Sequence, residues 1–461
     1  MCRERNDTSA KRHTGSLKPR CSALNQFLAF HSSLFYFKQT TDEITSIVSR
    51  FMVQEVAPDK FGAGLVRPRE PEPTVSNTSA SDSPHRSTHS VAYDQGRAKR
   101  YARTRIALGL LGTALYVGLT LIFVQTGITT LVEEFARSSG GSDYVVLLLF
   151  AAILGAIEII VSLPLKYYSG FHLEHKYGLS NQSFWMWVWE GAKGLLIGVP
   201  IMMPILLILY YCLRNFGVWW WLPVGAFTFL VSVVLARLAP VLIFPLFYKF
   251  KPLEEGELKH KLLTLCENVG MAVQGVFVFD MSKNTKKANA AFTGIGKSKR
   301  IILGDTLLAN FNDEEIESIF AHELGHYKLR HIWMMMFVGT LSSFLGLYVT
   351  AQAYQASLFW FGFGSIDQIA ALPLLGLWLG LYSLVTSPLS NMLSRAHERA
   401  ADRFAVRFSG KKPAFVGALR KLAGMNLADA SPHPLIEFLF HSHPSIEKRI
   451  RLVERMELVE V

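Results

Sequence analysis

Polar and apolar positions along the chain fall into blocks rather than a fine alternation. Runs of about 20 apolar residues, the length that crosses roughly 30 Å of hydrocarbon, occupy residues 106–126, 144–165, 194–213, 221–246, 332–354 and 366–390. Each predicts a membrane-spanning helix, six in all. Between the fourth and fifth runs the texture changes. "GVFVFD" and "KRIILG" are rich in β-branched and aromatic residues and predict strands, with "NAAFTG" between them. "FNDEEIESIFAHELGHYKLRH" then predicts an amphipathic helix. Asn312 is placed as its cap, acids fill the first turn, and Glu315 completes a capping box. Ile316, Ile319, Phe320 and Leu324 recur at helical spacing behind it. Another helix is predicted over "NMLSRAHERAADRFAVRF", residues 391–408.

Residues 1–95 differ from the rest. "VRPREPEPTVSNTSASDSPHRSTHS" is rich in Pro, Ser and Thr, lacks periodic apolar positions and predicts a disordered tail. The patch "LNQFLAFHSSLFYF" is too short and too broken for a signal-peptide core or a span.

Charge gives the spans a direction, because Lys and Arg concentrate in cytoplasmic loops. "GRAKRYARTR", just before the first run, carries five Lys or Arg in ten residues, which places that end inside. Alternation puts residues 127–143, 214–220 and 355–365 outside, and these loops hold only Arg137 and Arg214. The large hydrophilic pieces, 247–331 and 391–461, both fall inside and both are basic. The net charge of +11 then follows from topology and attraction to anionic lipid. No nucleic-acid-binding motif accompanies it. Glu158 and Arg237 are ionisable residues within spans, where such groups face a cavity or each other; the expected arrangement is a pair. Cys2, Cys21, Cys212 and Cys266 lie far apart and show no C-x-x-C spacing, so neither a disulfide framework nor a thiolate zinc site is suggested.

The chemistry concentrates in His322-Glu323-x-x-His326. On a helix the two histidines stand one turn apart on one face, so both imidazoles can bind one ion, while Glu323 points beside it. A chain of this composition contains that pattern by chance about twice in a hundred, so the pattern needs a companion. The H-E-x-x-H-x-x-G-x-x-H class is excluded, because Leu329 and Ile332 stand at its last two positions and His331 is one residue short. The alternative third ligand is a glutamate on a second helix, with an aspartate one turn later to hold a ligand histidine. Glu398 and Asp402 have that spacing, and the two intervening spans return the chain to the same side of the membrane. A plain surface helix with Arg395, Arg399 and Arg403 as ion-pair partners would explain the charges, but not their occurrence alongside the histidine pair.

These residues resemble the type I CAAX prenyl proteases and related integral-membrane zinc metallopeptidases. The likeness covers roughly residues 100–455 and includes "HELGH", "SRAHERAADRFA", "KANAAFTGIGKSKRIILGDTLL", "HSHPSIEKRI" and "GFHLEHKYGLSNQ". Together with the six apolar runs it gives a mainly α, polytopic helical membrane protein with about six transmembrane helices and a small cytosolic zincin-like α+β catalytic subdomain. Residues 1–95 would form the tail, 96–246 a membrane domain with four spans, and 247–461 the metallopeptidase domain with two. It further implies one Zn²⁺ held by His322, His326 and Glu398, Glu323 as catalytic acid/base, and Asp402 supporting a ligand. His443 and Arg449 would stand near the scissile carbonyl, and Asn289 beside the substrate. The expected activity is metalloendopeptidase cleavage of membrane-associated or prenylated proteins, at the cytoplasmic face of a multi-pass protein embedded in lipid. Eukaryotic members of the family are drawn with seven spans around a chamber, one more than is counted here.

Two other readings compete. HtpX-like quality-control proteases share the chemistry but are shorter. A six-span transporter or scaffold binding metal without catalysis would have no need of Glu323. A site-2-type intramembrane protease is excluded, because Glu314, Glu315, Glu317, Lys328 and Arg330 keep the histidine helix out of lipid.

Overall fold

The computed structural model describes residues 93–293 and 299–457. Most of the predicted tail, including Cys2 and Cys21, lies outside the described residues. Among the described residues, six helices are long and apolar enough to cross a membrane. The first, α1 (Gln95–Gln125), is capped by Asp94, whose side chain accepts from the Arg97 N–H, and so begins inside the stretch assigned to the tail. A short helix, α2 (Ile128–Ser138), follows. The second span, α3 (Asp143–Tyr167), runs on through a π-helical turn at Tyr168–His172. The third, α4 (Phe184–Asn215), starts ten residues before the predicted run and absorbs two prolines, Pro200 and Pro204. The fourth is α5 (Trp221–Leu238).

Large apolar side chains such as Leu196, Leu230, Phe337 and Val385 remain exposed on these helices. In water this would be a liability; against hydrocarbon it is the matching surface. Glu158 does not pair with Arg237. Its carboxylate lies 3.4 Å from Lys166 Nζ on the same helix, two turns further on, and Arg237 is exposed.

The chain next builds a four-stranded sheet from β1 (Phe250–Pro252), β2 (Val276–Phe279), β3 (Ala290–Thr293) and β4 (Arg300–Gly304), in the order β1-β2-β4-β3. β2 and β4 are the two predicted strands, and they pair in parallel. β1 and β3 flank them antiparallel, so β3 is an edge strand. Helix α6 (Glu257–Val269) connects β1 to β2.

Helix α7 (Asp313–Lys328) carries the histidine motif and opens with the predicted capping box of Asn312 and Glu315. It packs on the sheet through Phe320, whose ring centroid is 4.9 Å from that of Phe292 on β3. Leu262, Ile301, Leu303, Ile316 and Leu324 fill the core between them. After α7 the backbone turns through a left-handed Arg330 (φ 55°) straight into the fifth span, α8 (His331–Leu358). The sixth span does not stop near residue 390. It continues as one 38-residue helix, α9 (Leu372–Ser409), through Pro388 to a left-handed Gly410 cap, so the predicted helix over 391–408 is a continuation of the last span. Helices α10 (Lys412–Met425), α11 (Pro434–Phe440) and α12 (Ile446–Glu454) complete the described chain.

Two contacts position the site. Gly325 lets α7 and α9 approach closely, since a Cβ there would come within 3.1 Å of Ala401 Cα. The membrane half also grips the sheet ahead of β3. Lys286 N–H donates to the Leu179 carbonyl (2.9 Å) and Asn181 N–H to that of Asn284 (3.1 Å). Tyr101 donates to Glu174 (2.5 Å), which also lies 3.0 Å from Lys287 Nζ.

Candidate metal centre

One turn of α7 places His322 and His326 side by side, with their Nε2 atoms 3.2 Å apart. Glu398 enters from α9, its Oε2 3.3 Å from His322 Nε2 and its Oε1 3.3 Å from His326 Nε2. All three residues are buried, in spite of their polarity. Three ligands of a tetrahedral ion with metal–ligand bonds of about 2.0–2.1 Å stand about 3.3 Å apart. The donor triangle therefore fits one small divalent cation, with its fourth position open. Buried polar groups clustered without such a centre would carry a large desolvation cost.

Asp402, one turn after Glu398 and fully buried, holds the site from behind. Its Oδ1 lies 2.9 Å from His322 Nδ1, which puts the ring proton on Nδ1 and turns the Nε2 lone pair toward the cation. Arg449 of α12 grips the same carboxylate twice, Nε to Oδ2 at 2.9 Å and Nη2 to Oδ1 at 2.6 Å. This bidentate geometry makes a strong charge-assisted pair. Burial alone would lower the His322 pKa, but its contacts with Asp402 and Glu398 outweigh that and push it up to about 9. Burial likewise opposes the charge of Arg449, and Asp402 and Glu398 hold its guanidinium firmly protonated.

Glu323 is half-buried beside the pair, close enough for its charge to act on Arg449. His443 is half-exposed, with Nε2 3.4 Å from Glu398 Oε1 and Nδ1 2.9 Å from Ser442 Oγ. Arg449 uses Nε and Nη2 on Asp402, leaving Nη1 3.9 Å from Glu398 Oε2. Asn289 directly precedes the edge strand β3, and its carbonyl accepts from the Gly304 N–H (2.9 Å). The structure thus brings His322, His326, Glu398, Asp402, Arg449 and His443 together, and sets Asn289 at the sheet edge alongside α7.

Two residues escaped the sequence reading. Arg395 is buried and donates through Nη1 to the carbonyls of Glu437 (3.0 Å) and His441 (2.6 Å). It thereby pins the loop that carries His443, whereas Arg399 and Arg403 are exposed. Its spacing from Glu398 and Asp402, about one and two turns, was the available signal. His331, set aside as wrongly phased, places Nδ1 3.1 Å from His326 Nδ1.

Residues 252–457 match peptidase family M48, and residues 80–249 match the family described as CAAX prenyl protease N-terminal, five membrane helices. Four of the candidate spans among the described residues lie in that second region. The chain is 30% identical over 364 residues to the uncharacterized metalloprotease YhfN of Bacillus subtilis, covering 78% of this chain and 85% of that protein. It is 33% identical over 308 residues to the CAAX prenyl protease 1 homolog of Arabidopsis thaliana, covering 64% and 70%. Among solved structures, that of S. mikatae Ste24p superposes with a TM-score of 0.71 at 28% identity, covering 78% of this chain and 89% of that one. The chain belongs to the M48 peptidase family, as a multi-pass membrane metalloendopeptidase related to the CAAX prenyl proteases.

Proposed function

We propose that this protein is a zinc endopeptidase that cleaves membrane-associated, lipid-modified peptides from the cytoplasmic side. The observation that carries the zinc assignment is the donor triangle of His322, His326 and Glu398, with separations of 3.2 and 3.3 Å. Two imidazoles and one carboxylate with an open fourth position form a common catalytic zinc set. When bound, zinc supplies an acidified water and a Lewis acid for the scissile carbonyl.

The chain's own residues do the rest. Glu323 takes the proton of the attacking water and delivers it to the leaving amine. His443, on its pinned loop, donates to the carbonyl oxygen as negative charge grows there. Arg449 holds Asp402 through Nε and Nη2, and its Nη1 is a second donor for the same oxygen. The edge of β3, unpaired among the described residues, with Asn289 at its head, takes the substrate backbone as an added strand.

The cytoplasmic assignment rests on the distribution of Lys and Arg around the spans. Lipidated substrates are suggested by the CAAX prenyl protease relatives. The test uses wild type and Glu323→Gln in detergent, with bound zinc measured and cleavage followed for a farnesylated C-a-a-X peptide and its unmodified twin. The variant should keep zinc and lose about 10²–10⁴ in kcat/KM, and the wild type should prefer the farnesylated peptide. Equal cleavage of both peptides would overturn the lipid requirement. Unchanged turnover in Glu323→Gln would overturn the mechanism.

A further inference from the structure

The two histidine ligands are supported unequally in what has been described. His322 leans on Asp402, a carboxylate backed by Arg449. His326 has its Nε2 on the donor triangle and its Nδ1 on His331, 3.1 Å away. An imidazole that offers Nε2 to a cation carries its proton on Nδ1 and needs an acceptor there. We infer that His331 is a positioning residue for the metal site, accepting the Nδ1–H of His326 through its own Nδ1 and so fixing that ligand's tautomer and ring plane.

The surroundings of His331 suit this task. It is buried, and its ring lies flat on that of His397, with centroids 4.2 Å apart and planes within 7°. His397 directly precedes Glu398, and its Nε2 lies 3.2 Å from Met334 Sδ on α8. The stack therefore ties the start of α8 to the helix that supplies the third ligand. In an unbroken helix a residue five positions after His326 would point about 140° away from it. The left-handed Arg330 (φ 55°) ends α7 and swings His331 back beneath the ligand. Arg330 is neither Gly, Asn nor Asp, so this conformation costs energy that the surrounding structure must offset. A neutral imidazole is also a weaker acceptor than a carboxylate. The site thus has one ligand held by a charged partner and one by an uncharged partner at the membrane boundary.

The proposal rests on His326 being a ligand, and its test separates the two claims. Full-length protein in detergent is stripped of metal and titrated with zinc against a competing chelator, for wild type, His326→Ala, His331→Phe and His331→Gln. Cobalt(II) loading adds the visible ligand-field spectrum of the site, and thermal unfolding of the metal-free forms is recorded in parallel. His331→Phe keeps the ring and its stack but removes the acceptor, and should weaken zinc binding 10–100-fold and shift the cobalt bands. His331→Gln restores an acceptor and should recover affinity to within about threefold of wild type. Wild-type affinity and an unshifted spectrum in His331→Phe would overturn the proposal. So would equal losses in both His331 variants accompanied by lowered metal-free unfolding temperatures, which would mean packing alone. Wild-type affinity in His326→Ala would instead remove the ligand assignment itself, and the role of His331 with it.

Discussion

The two ends of the helical bundle each carry an arginine–carboxylate network, and the two differ in water. At the end opposite the metal site, Arg137 pairs with Glu133 and Asp143 (2.7 Å each) and Arg214 pairs with Asp143 (2.8 Å). Both arginines and Asp143 are partly exposed, 46% for Arg137, 38% for Arg214 and 32% for Asp143, while Glu133, 10% exposed, is held as well by the Ala370 N–H. At the metal end, Arg449 and Asp402 are 11% and 0% exposed. Similar distances therefore carry different weights. Exposed pairs are screened and contribute little, whereas a buried carboxylate depends on every partner it has. The outer network tacks loops together. The inner one holds a ligand in place.

The strongest way to break that comparison is to remove one inner partner. Arg449→Ala leaves Asp402 buried without its bidentate cation and should lower stability by about 3–5 kcal/mol, read as the shift in chemical unfolding in detergent. A loss below about 1 kcal/mol would mean that water reaches this end too.

Asp402→Asn is milder, because it keeps the shape but weakens the acceptor at His322 Nδ1. Zinc affinity should fall 10–100-fold in chelator competition. Retention of wild-type affinity would show that Asp402 does not orient the ring.

The pH dependence of metal binding sharpens the same point. In the metal-free protein His322, with its pKa raised to about 9, stays protonated at neutral pH, and a cation at Nε2 must displace that proton. Binding should therefore weaken up to about tenfold for each pH unit lost below about 9, and level off above it as far as this group is concerned. Asp402→Asn should move the break to lower pH, because it removes a contact that raises the His322 pKa.

The smallest effect belongs to the outer end. Arg214→Ala leaves Asp143 with Arg137 and should cost no more than about 0–1 kcal/mol. Added salt should erase most of it. A larger or salt-insensitive loss would mean that this end is packed in lipid or protein rather than wetted.

Much of this organisation was legible beforehand. Hydrophobic length marked the six spans, and Asn312 with Glu315 marked the start of α7, because caps and membrane thickness are local constraints. The pairing of His326 with the distant Glu398 was readable from two intervening spans returning the chain to one side. The positions of β1 and β3 at opposite edges of the sheet were not, since edge position depends on pairing partners and not on composition. Nor was the meeting of Glu158 with Lys166 rather than Arg237, because rotation of a span about its axis is set by neighbours.

The amino-acid order by itself determined the spans, the capped helix, the one-turn spacing of His322 with His326 and of Glu398 with Asp402, and that an even number of spans separates the two pairs. All of these follow from helical period, capping chemistry and hydrocarbon thickness. Tertiary structure decided which arginine is buried and which is wet: Arg395 and Arg449 became anchors, while Arg399 and Arg403 stayed in solvent. It also decided that His331, out of phase on any continuous helix, returns to His326. The physical reason is the same in both cases: burial and direction depend on how separate elements pack, and a single left-handed residue between two helices redirects everything after it.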